Sequence, residues 1–403
     1  MTASLVTADT ILKEVYEAGI NAQLNDEVIA LRRIERTSEG VTSQVGGKYV
    51  VFPIHVNRNS GIGARREDET LPDAGRQGYR RAQVGLRYQY GRLRLTGQAI
   101  ALANENFQAF ASVLEEETSR IKDDLAKDLN RQVYGNGDGV IATITGALTV
   151  NTAPVNRTLW LQEGMVVDTG TLASGVLTVV ASNKVVSNVN VGAGTVDLTG
   201  GTGTPVNGHV IVRAGNRRSG ATDNDQREWT GLGALVAGSG ALFGLTHPAW
   251  VSTINGNSGT NRALSEALII QAADAVRARG SYPTVMFMNL GVRRAYFNLL
   301  VQQRRYTNTQ QFEGGFSGLA FTTDKGDIPM VVDTDCPGNT IYGLNEKQIK
   351  VYRDADWSYM DRDGSRWSRD ATKDAYNATL FQYSELGTHR RNAHFRIEDI
   401  TEG

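Results

Sequence analysis

Residues 84–95 read VGLRYQYGRLRL and alternate like a β-strand, but the alternation changes phase within the stretch. The apolar residues hold even positions up to Tyr90 and odd positions from Leu93 onward. Because the side chains of a strand repeat every two residues, a slip beside Gly91 predicts a bulge or a sharp bend. We therefore expect a long strand lined with arginines and hinged at Gly91.

A second strand-like stretch, KYVVFPIHV at residues 48–56, precedes this one, and Pro53 within it indicates an edge position. Residues 57–81, which lie between the two stretches, show no apolar period. An unpatterned segment of this length is uncommon inside a compact domain and is usually either functional or disordered. The two stretches therefore predict a long hairpin with a large polar tip.

A long helix is predicted next. An apolar stripe at helical spacing runs from Phe107 to Val133, and Gly135 ends it. About 30 residues of helix would be about 45 Å long. Residues 138–215 then become rich in Val, Thr, Gly and Asn, with short alternating runs such as NKVVSNVNV at 183–191. These runs predict a small all-β unit.

The composition limits the class of protein. The chain has 403 residues, which is more than one core usually serves, and its 42 basic and 43 acidic side chains create no overall field toward nucleic acid or membrane. A single cysteine, Cys336, excludes an internal disulfide framework and a cysteine-rich zinc site. No apolar run reaches the roughly 20 residues of a membrane span, and the first residues lack a signal-peptide pattern. We expect a globular protein that folds in the cytoplasm.

The candidate chemical motifs favour structural interpretations. The glycines of GNGDG at 135–139 follow a helix rather than a strand, so they indicate a helix end and not a phosphate-binding loop. Asp361 and Asp363 lack the remaining ligands of a calcium loop and indicate a hairpin turn. The five histidines are scattered, and no G-x-S-x-G nucleophile motif occurs. We predict no catalytic, metal or cofactor site.

The distribution of charge is more informative. Residues 46–100 contain ten basic and four acidic side chains, whereas the helical region 104–135 contains seven acidic and four basic ones. An extended basic hairpin has two obvious partners, nucleic acid or the acidic helix of a neighbouring copy. A solvated loop is the third interpretation, and the charges alone leave all three open.

The order of these parts resembles the major capsid proteins of tailed bacteriophages with the Hong Kong 97-type capsid fold, an α+β architecture. The likeness covers nearly the whole chain. It rests on the hairpin, on the helix segment NFQAFASVLEEETSRIKDDLAKDLNRQV, on TVMFMNLGVRRAYFNLL and DIPMVVDTDCPGNTIYGL, and on the last strand in NATLFQYSELGTHRRNAHFRIEDI.

The resemblance implies a division of the chain into six parts. These are an N-terminal arm (1–45), an E-loop hairpin (46–100), the spine helix of the P-domain (101–137), an inserted small all-β domain (138–215), an A-domain (216–345) and a return to the P-domain (346–403).

The resemblance also implies a function. A major capsid protein assembles through hexamers and pentamers into the icosahedral head shell of a virion, encloses double-stranded DNA, forms in the bacterial host cytoplasm and is not an enzyme. Separate scaffolding, portal and decoration proteins are expected partners, and no membrane is involved. With Gly91 as the hinge, the hairpin would reach over the next subunit. The implied inter-subunit contacts join Arg65, Arg66, Arg87, Arg92 and Arg94 to acidic groups that include Glu115, Glu116 and Glu117.

Two departures from the best-known capsid proteins of this type are visible. No long charged stretch precedes the arm, so we expect no fused scaffolding segment. The hairpin tip has no lysine, since Lys48 lies at its base, so we expect a shell without lysine–asparagine cross-links.

Two alternative functions remain open at this point. One is an encapsulin-like compartment, which would share the fold but enclose protein cargo. The other is a carbohydrate-binding or hydrolytic protein built on the β unit.

Overall fold

The computed structural model describes residues 27–38, 49–96, 98, 107–217, 220, 225–304, 320–323, 325–361 and 368–403. For residues 95, 107–118 and 301–304 the description covers the backbone alone. The described chain forms three six-stranded sheets and one two-stranded hairpin.

The helices in this part of the chain are α1 (Ala30–Arg33), α2 (Phe107–Val133), α3 (Leu232–Leu235), α4 (Glu266–Ala278) and α5 (Leu290–Arg304). The strands are β1 (Glu35–Thr37), β2 (Tyr49–Asn57), β3 (Gly78–Gly85), β4 (Arg87–Thr96), β5 (Val140–Thr143), β6 (Thr152–Pro154), β7 (Val166–Ala173), β8 (Val176–Asn190), β9 (Thr195–Thr199), β10 (Val210–Arg213), β11 (Thr253–Asn255), β12 (Val285–Met288), β13 (Ala320–Thr323), β14 (Gly326–Val332), β15 (Ile341–Leu344), β16 (Ile349–Arg353), β17 (Ser358–Tyr359), β18 (Ser368–Arg369), β19 (Ala375–Thr388) and β20 (Phe395–Ile397).

The first sheet is organised around β19, which has 14 residues. β4 pairs antiparallel with β19 from Thr96↔Ala375 to Arg87↔Ser384 without a shift of register. β16, β17 and β18 pair with the other side of β19, and β1 adds to β16 in parallel. The long helix α2 packs against β4, so that sheet and helix form one two-layer unit.

The predicted hairpin consists of β2 and β3. Its second strand ends at Gly85, whereas the sequence pattern extended it to residue 95. The pairing runs from Tyr49↔Gly85 to Asn57↔Gly78. After Leu86 the chain leaves the hairpin and enters the sheet as β4. The stretch 84–95 is therefore two strands joined by one residue.

The predicted hinge at Gly91 is wrong. Gly91 pairs with Leu380 in the middle of an unbroken ladder. The phase of burial changes between Leu86, which is buried in the core, and Arg87, which begins β4. The slip in the sequence pattern thus marks the end of one strand and the start of another. A bulge within a single strand would give the same slip.

Gly91 has a packing role instead. A Cβ placed on it would lie 2.7 Å from Cδ1 of Leu125 and 3.2 Å from Cδ1 of Ile121, both on α2. Glycine therefore lets the helix lie close on the sheet at this position. The residues on the other face of β4, from Tyr88 to Arg94 at even positions, point away from the helix.

The second sheet has the order β5-β10-β7-β8-β9-β6, and all of its strands come from residues 140–213. Its core is built from the same stretch, with Ile141, Val167, Val186 and Ile211 almost fully buried. Register shifts within the β7–β8 and β8–β9 pairs mark bulges that bend the sheet.

The third sheet has the order β11-β20-β15-β12-β14-β13 and mixes parallel and antiparallel pairs. Its central strand β12 is buried on both faces. Met286 and Met288 pack with α4 and α5 in one hydrophobic core, whereas Val285 and Phe287 belong to the largest core. That largest core also receives the end of α2, the hairpin base and the residues around Trp229.

We predict that Gly91→Val lowers the free energy of unfolding by about 1–3 kcal/mol, because the added methyl groups meet Leu125 and Ile121. Gly91→Ala should cost less, since the ends of these leucine and isoleucine side chains can shift. The measurement is denaturant unfolding of the subunit followed by helical circular dichroism. Gly192→Val is the matched control, because a Cβ at Gly192 meets nothing closer than 3.7 Å. Equal effects of the two valine substitutions would contradict the close helix–strand contact.

Candidate assembly surfaces

The hairpin tip, residues 58–77, connects β2 to β3 without helix or strand. Its two limbs run close together, since a Cβ on Gly61 would lie 2.7 Å from both the Asp73 carbonyl oxygen and the Gly75 nitrogen. Two large apolar side chains on the tip face solvent, Ile62 at 83% and Leu71 at 78% exposure. Exposed apolar side chains of this size are stabilised when another molecule covers them.

Arginines are frequent along the hairpin. Six of them are exposed on the hairpin: Arg58, Arg65, Arg66, Arg76, Arg80 and Arg81. Within the tip, Arg65 Nε donates to the carbonyl oxygen of Thr70 at 2.9 Å, and the amide of Arg66 donates to Glu69 Oε2 at 2.9 Å. Arginine beside apolar groups is a composition enriched at protein interfaces. The predicted contacts of Arg65 and Arg66 with a neighbouring subunit stay predictions.

The root of the hairpin is fixed in the largest core. Phe52 of β2 and Val84 of β3 are both buried there. The Phe52 ring lies 4.5 Å from the imidazole of His389, whose ring nitrogen is hydrogen-bonded to the hydroxyl of Tyr352. Burial, together with the charge of Lys350, lowers the pKa of His389. The hairpin is thus anchored at one end and exposed at the other.

Arg87 lies inside the subunit, which corrects its prediction as an inter-subunit contact. Its guanidinium Nε is 3.0 Å from Glu385 Oε2, and the two side chains are 6% and 1% exposed. Glu385 Oε1 also accepts the amides of Thr230 and Leu386 at 2.7 and 3.0 Å. A buried charge needs a paired partner, and this pair fixes the first residue of β4 onto β19.

Arg92 and Arg94 lie on the exposed face of β4, opposite to the long helix, and not on the hairpin. Arg94 Nη2 is 3.8 Å from Asp370 Oδ2 in a solvent-exposed pair. Half-exposed Tyr88 and Tyr90 precede them on the same face. The side chains of Glu115, Glu116 and Glu117 lie outside the described residues, so their predicted pairing with these arginines remains a prediction.

A buried polar junction lies at the C-terminal end of α2, and the sequence analysis did not identify it. Asn130 of the helix and Asp333 and Asp335 of the turn after β14 are at most 1% exposed. Asn130 Nδ2 donates to Asp335 Oδ2 at 2.6 Å and to Asp333 Oδ2 at 3.2 Å. The two aspartates of the turn sequence DTD were the available signal.

An ion cluster extends the junction toward the second sheet. Arg131 is 3.1 Å from Asp128 and 2.7 Å from Glu228, and Arg213 of β10 approaches Asp128 at 3.4 Å. Burial alone would lower the pKa of Arg131, but the two carboxylates outweigh it and raise that pKa. Burial alone would raise the pKa of Asp128, but the charges of Arg131 and Arg213 outweigh it and lower that pKa. Both shifts favour the charged forms of Arg131 and Asp128.

Cys336 is buried next to this junction, and burial raises the pKa of its thiol well above the usual value. Among the described residues, no group of three or more His, Cys, Asp or Glu side chains is arranged to hold a metal ion. None of the helices in the described ranges is long and apolar enough to cross a membrane.

We predict that Glu385→Gln lowers the free energy of unfolding by about 3 kcal/mol, because it leaves the Arg87 guanidinium buried without its counter-charge. The double variant Arg87→Met with Glu385→Gln should recover part of that loss. Arg94→Met is the control, since its partner is distant and exposed and such pairs contribute about 0–1 kcal/mol. Urea unfolding measures all four proteins, and a Glu385→Gln effect no larger than that of Arg94→Met would refute the buried pair.

His394 makes stability depend on pH. Its Nδ1 accepts the Asn345 amide at 3.2 Å, its Nε2 lies 3.0 Å from Thr388 Oγ1, and burial lowers its pKa to about 3. Below about pH 6.5 the unfolded chain binds a proton that the folded chain does not, so stability falls as the pH drops from 6.5 toward 3.

The expected slope from His394 is at most about 1.4 kcal/mol per pH unit in that window. Urea unfolding at pH 6.5, 5.5 and 4.5 should show a flatter dependence for His394→Gln than for the unsubstituted protein. His209 and His389, whose pKa values are also lowered by burial, are present in both proteins and do not affect the difference. Identical slopes would show that the pKa of His394 is the same in the folded and unfolded states.

Comparison with known proteins identifies this architecture. Residues 211–401 match the family model of the SU10 major capsid protein. No curated protein sequence matches the chain. Among solved structures, the capsid asymmetric unit of cyanophage A-1(L) superposes with a TM-score of 0.62 at 15% identity, covering 99% of this chain and 100% of the other.

A second structure, the capsid of the native GTA particle, superposes with a TM-score of 0.52 at 10% identity and covers 100% of both chains. The holo-SrpI encapsulin of Synechococcus elongatus matches less well, with a TM-score of 0.46 at 6% identity, 100% coverage of this chain and 97% of the other. The two capsid superpositions with TM-scores above 0.5 confirm the predicted Hong Kong 97-type fold. Residues 211–401 are thus similar to the SU10 major capsid protein family, and the whole chain shares the fold of phage-type capsid structures.

Proposed function

We propose that this protein assembles through hexamers and pentamers into a closed icosahedral shell that encloses double-stranded DNA. One observation carries the proposal most directly: the hairpin is anchored in the core of its own subunit, and its tip exposes Ile62 and Leu71 among arginines. Exposed apolar groups of this size are stabilised when a second subunit covers them. The hairpin is therefore assigned to contacts between copies.

The parts of the chain take the following roles in this proposal. Residues 1–45 form the arm, 138–215 the inserted β domain, 216–345 the A-domain and 346–403 the return to the P-domain. The E-loop ends at Gly85 rather than at residue 100, because β4 pairs with β19 and belongs with α2. The compact sheet built wholly from residues 140–213 supports the assignment of an insertion.

The proposal contains no catalytic step. The shell would form in the host cytoplasm and become part of a virion, with separate scaffolding, portal and decoration proteins as expected partners. A net charge of −1 gives the subunit no general attraction to DNA, so contact with the packaged molecule depends on local basic surface.

We predict that excision of residues 62–74, with Gly61 joined to Gly75, abolishes shells but leaves the subunit folded. The two glycines already lie in contact, so the join needs little rearrangement. The tip contributes nothing to the buried cores, so unfolding of the shortened subunit should match that of the full chain. Electron microscopy and sedimentation of purified protein measure assembly, and closed shells at normal yield from the shortened protein would contradict the proposal.

Point variants separate the apolar contact from a general effect of the deletion. Ile62→Ser with Leu71→Ser should reduce shell yield severalfold. Val150→Ser with Val191→Ser is the matched control, because these valines are equally exposed, at 89% and 75%, but lie in turns of the second sheet. Equal losses in both pairs would remove the special role of the tip.

The contents of the shells test the second half of the proposal. Particles purified from cells with their native genetic neighbours should hold nuclease-protected DNA. Shells that hold a defined protein and no DNA would instead indicate an encapsulin-like compartment.

A further inference from the structure

The start of helix α1 is held by side chains from distant parts of the chain. Helix α1 has no side-chain cap of its own at Ile29. Its first amide, of Ala30, donates to Asp333 Oδ2 at 3.1 Å, and the next, of Leu31, donates to Asn130 Oδ1 at 3.1 Å. A carboxylate and an amide oxygen thus cap the helix from outside, as a local Asp or Asn would.

The second sheet reaches the same turn through Trp160. This side chain lies in the segment between β6 and β7, with the guanidinium of Arg157 4.3 Å and that of Arg131 5.8 Å from the centre of its ring. Its indole Nε1 donates to Asp335 Oδ1 at 3.0 Å. The segment is therefore fixed to the turn by a hydrogen bond, and the cation–π contact with Arg131 adds a link to α2.

Three sets of hydrogen bonds join the cap of α1 to the bond between Trp160 and the turn. The amide of Asp335 donates to Asp333 Oδ1 at 2.9 Å. Asn130 bonds both carboxylates through Nδ2 while its Oδ1 accepts Leu31. Lys127 Nζ binds both Asp335 Oδ2 at 2.9 Å and the carbonyl oxygen of Glu27 at 3.0 Å. In a buried site these bonds polarise one another, and a shift of one member changes the geometry of the rest.

We propose that the turn 333–335 couples the N-terminal segment to the second sheet, with Trp160 as a positioning residue for the attachment of residues 27–34. The two-state element is the start of α1, which is either bonded to Asp333 and Asn130 or released from them. When Trp160 leaves Asp335, the carboxylate loses a donor, Asn130 and Lys127 reorient toward it, and the bonds to Leu31 and Glu27 weaken. In a shell, displacement of the second sheet would weaken the attachment of residues 27–34. This statement about the shell rests on the proposed function.

Hydrogen exchange of the Ala30 and Leu31 amides in the isolated full-length subunit tests this coupling. Trp160→Phe keeps an aromatic ring beside Arg131 and Arg157 but removes the indole donor. It should accelerate exchange of both amides roughly threefold or more, the size expected for residues in one network. Trp250→Phe is the control, because this indole is buried in the same core as α1 and its Nε1 has no hydrogen-bond partner among the described residues. Unchanged exchange in Trp160→Phe would overturn the proposal.

The reverse direction gives a second, independent measurement, because a coupling between two sites is reciprocal. Asp333→Asn weakens the cap of α1 directly and should shift the indole N–H resonance of Trp160, assigned by its loss in Trp160→Phe. If Trp160→Phe does not fold, Arg157→Met replaces it, since it removes the nearer guanidinium and leaves both carboxylates intact. An unshifted Trp160 resonance in Asp333→Asn, or unchanged Ala30 exchange in Arg157→Met, would also overturn the coupling.

These measurements need no shell. A failure of assembly therefore leaves the coupling measurable, and an absence of coupling leaves the assembly experiments intact.

Discussion

The structure depends on two carboxylates buried side by side at the end of the long helix. Asp333 and Asp335 are each 1% exposed, and burial of ionised groups is unfavourable unless every acceptor position is bonded. The donors come from the arm, the helix, the turn itself and the segment before β7. Because one misplaced segment would leave a buried charge unsatisfied, these parts fit together in a single arrangement.

The buried ion pair of Arg87 and Glu385 applies the same constraint to the hairpin. One carboxylate holds the start of β4, the amide of Thr230 and its own strand β19. Hydrophobic packing of Phe52 and Val84 attaches the hairpin to the core, but it is not directional. The ion pair of Arg87 and Glu385 is directional, and it fixes the chain at the start of β4.

Local patterns in the sequence were sufficient for the long helix, the hairpin strands and the alternating strands of residues 140–213, because each depends on a period within a few residues. The order of these elements was sufficient for the fold. The boundary at Leu86 was missed because the end of one strand and a bulge give the same slip of phase. Arg87 was misassigned because its partner is about 300 residues away in sequence.

The junction could not be predicted for the same reason. Asn130 and Asp333 are separated by 203 residues, and the Ala30 amide and Asp333 by 303. Polar residues in a turn ordinarily face solvent, and only the packing of four segments buries these. Long-range contacts of this kind leave no period for a single sequence to display.

The direct join between hairpin and sheet also has a mechanical consequence. Leu86 alone separates β3 from β4, so the hairpin is a lever whose fulcrum is buried. Its nine-residue strand β2 spans about 30 Å at roughly 3.3 Å per residue. A tilt of about 10° at the fulcrum therefore displaces the far end by about 5 Å, the width of one strand spacing. Small rotations at the base of the hairpin thus become large displacements of its far end. The far end can therefore contact different positions on the surface that it meets.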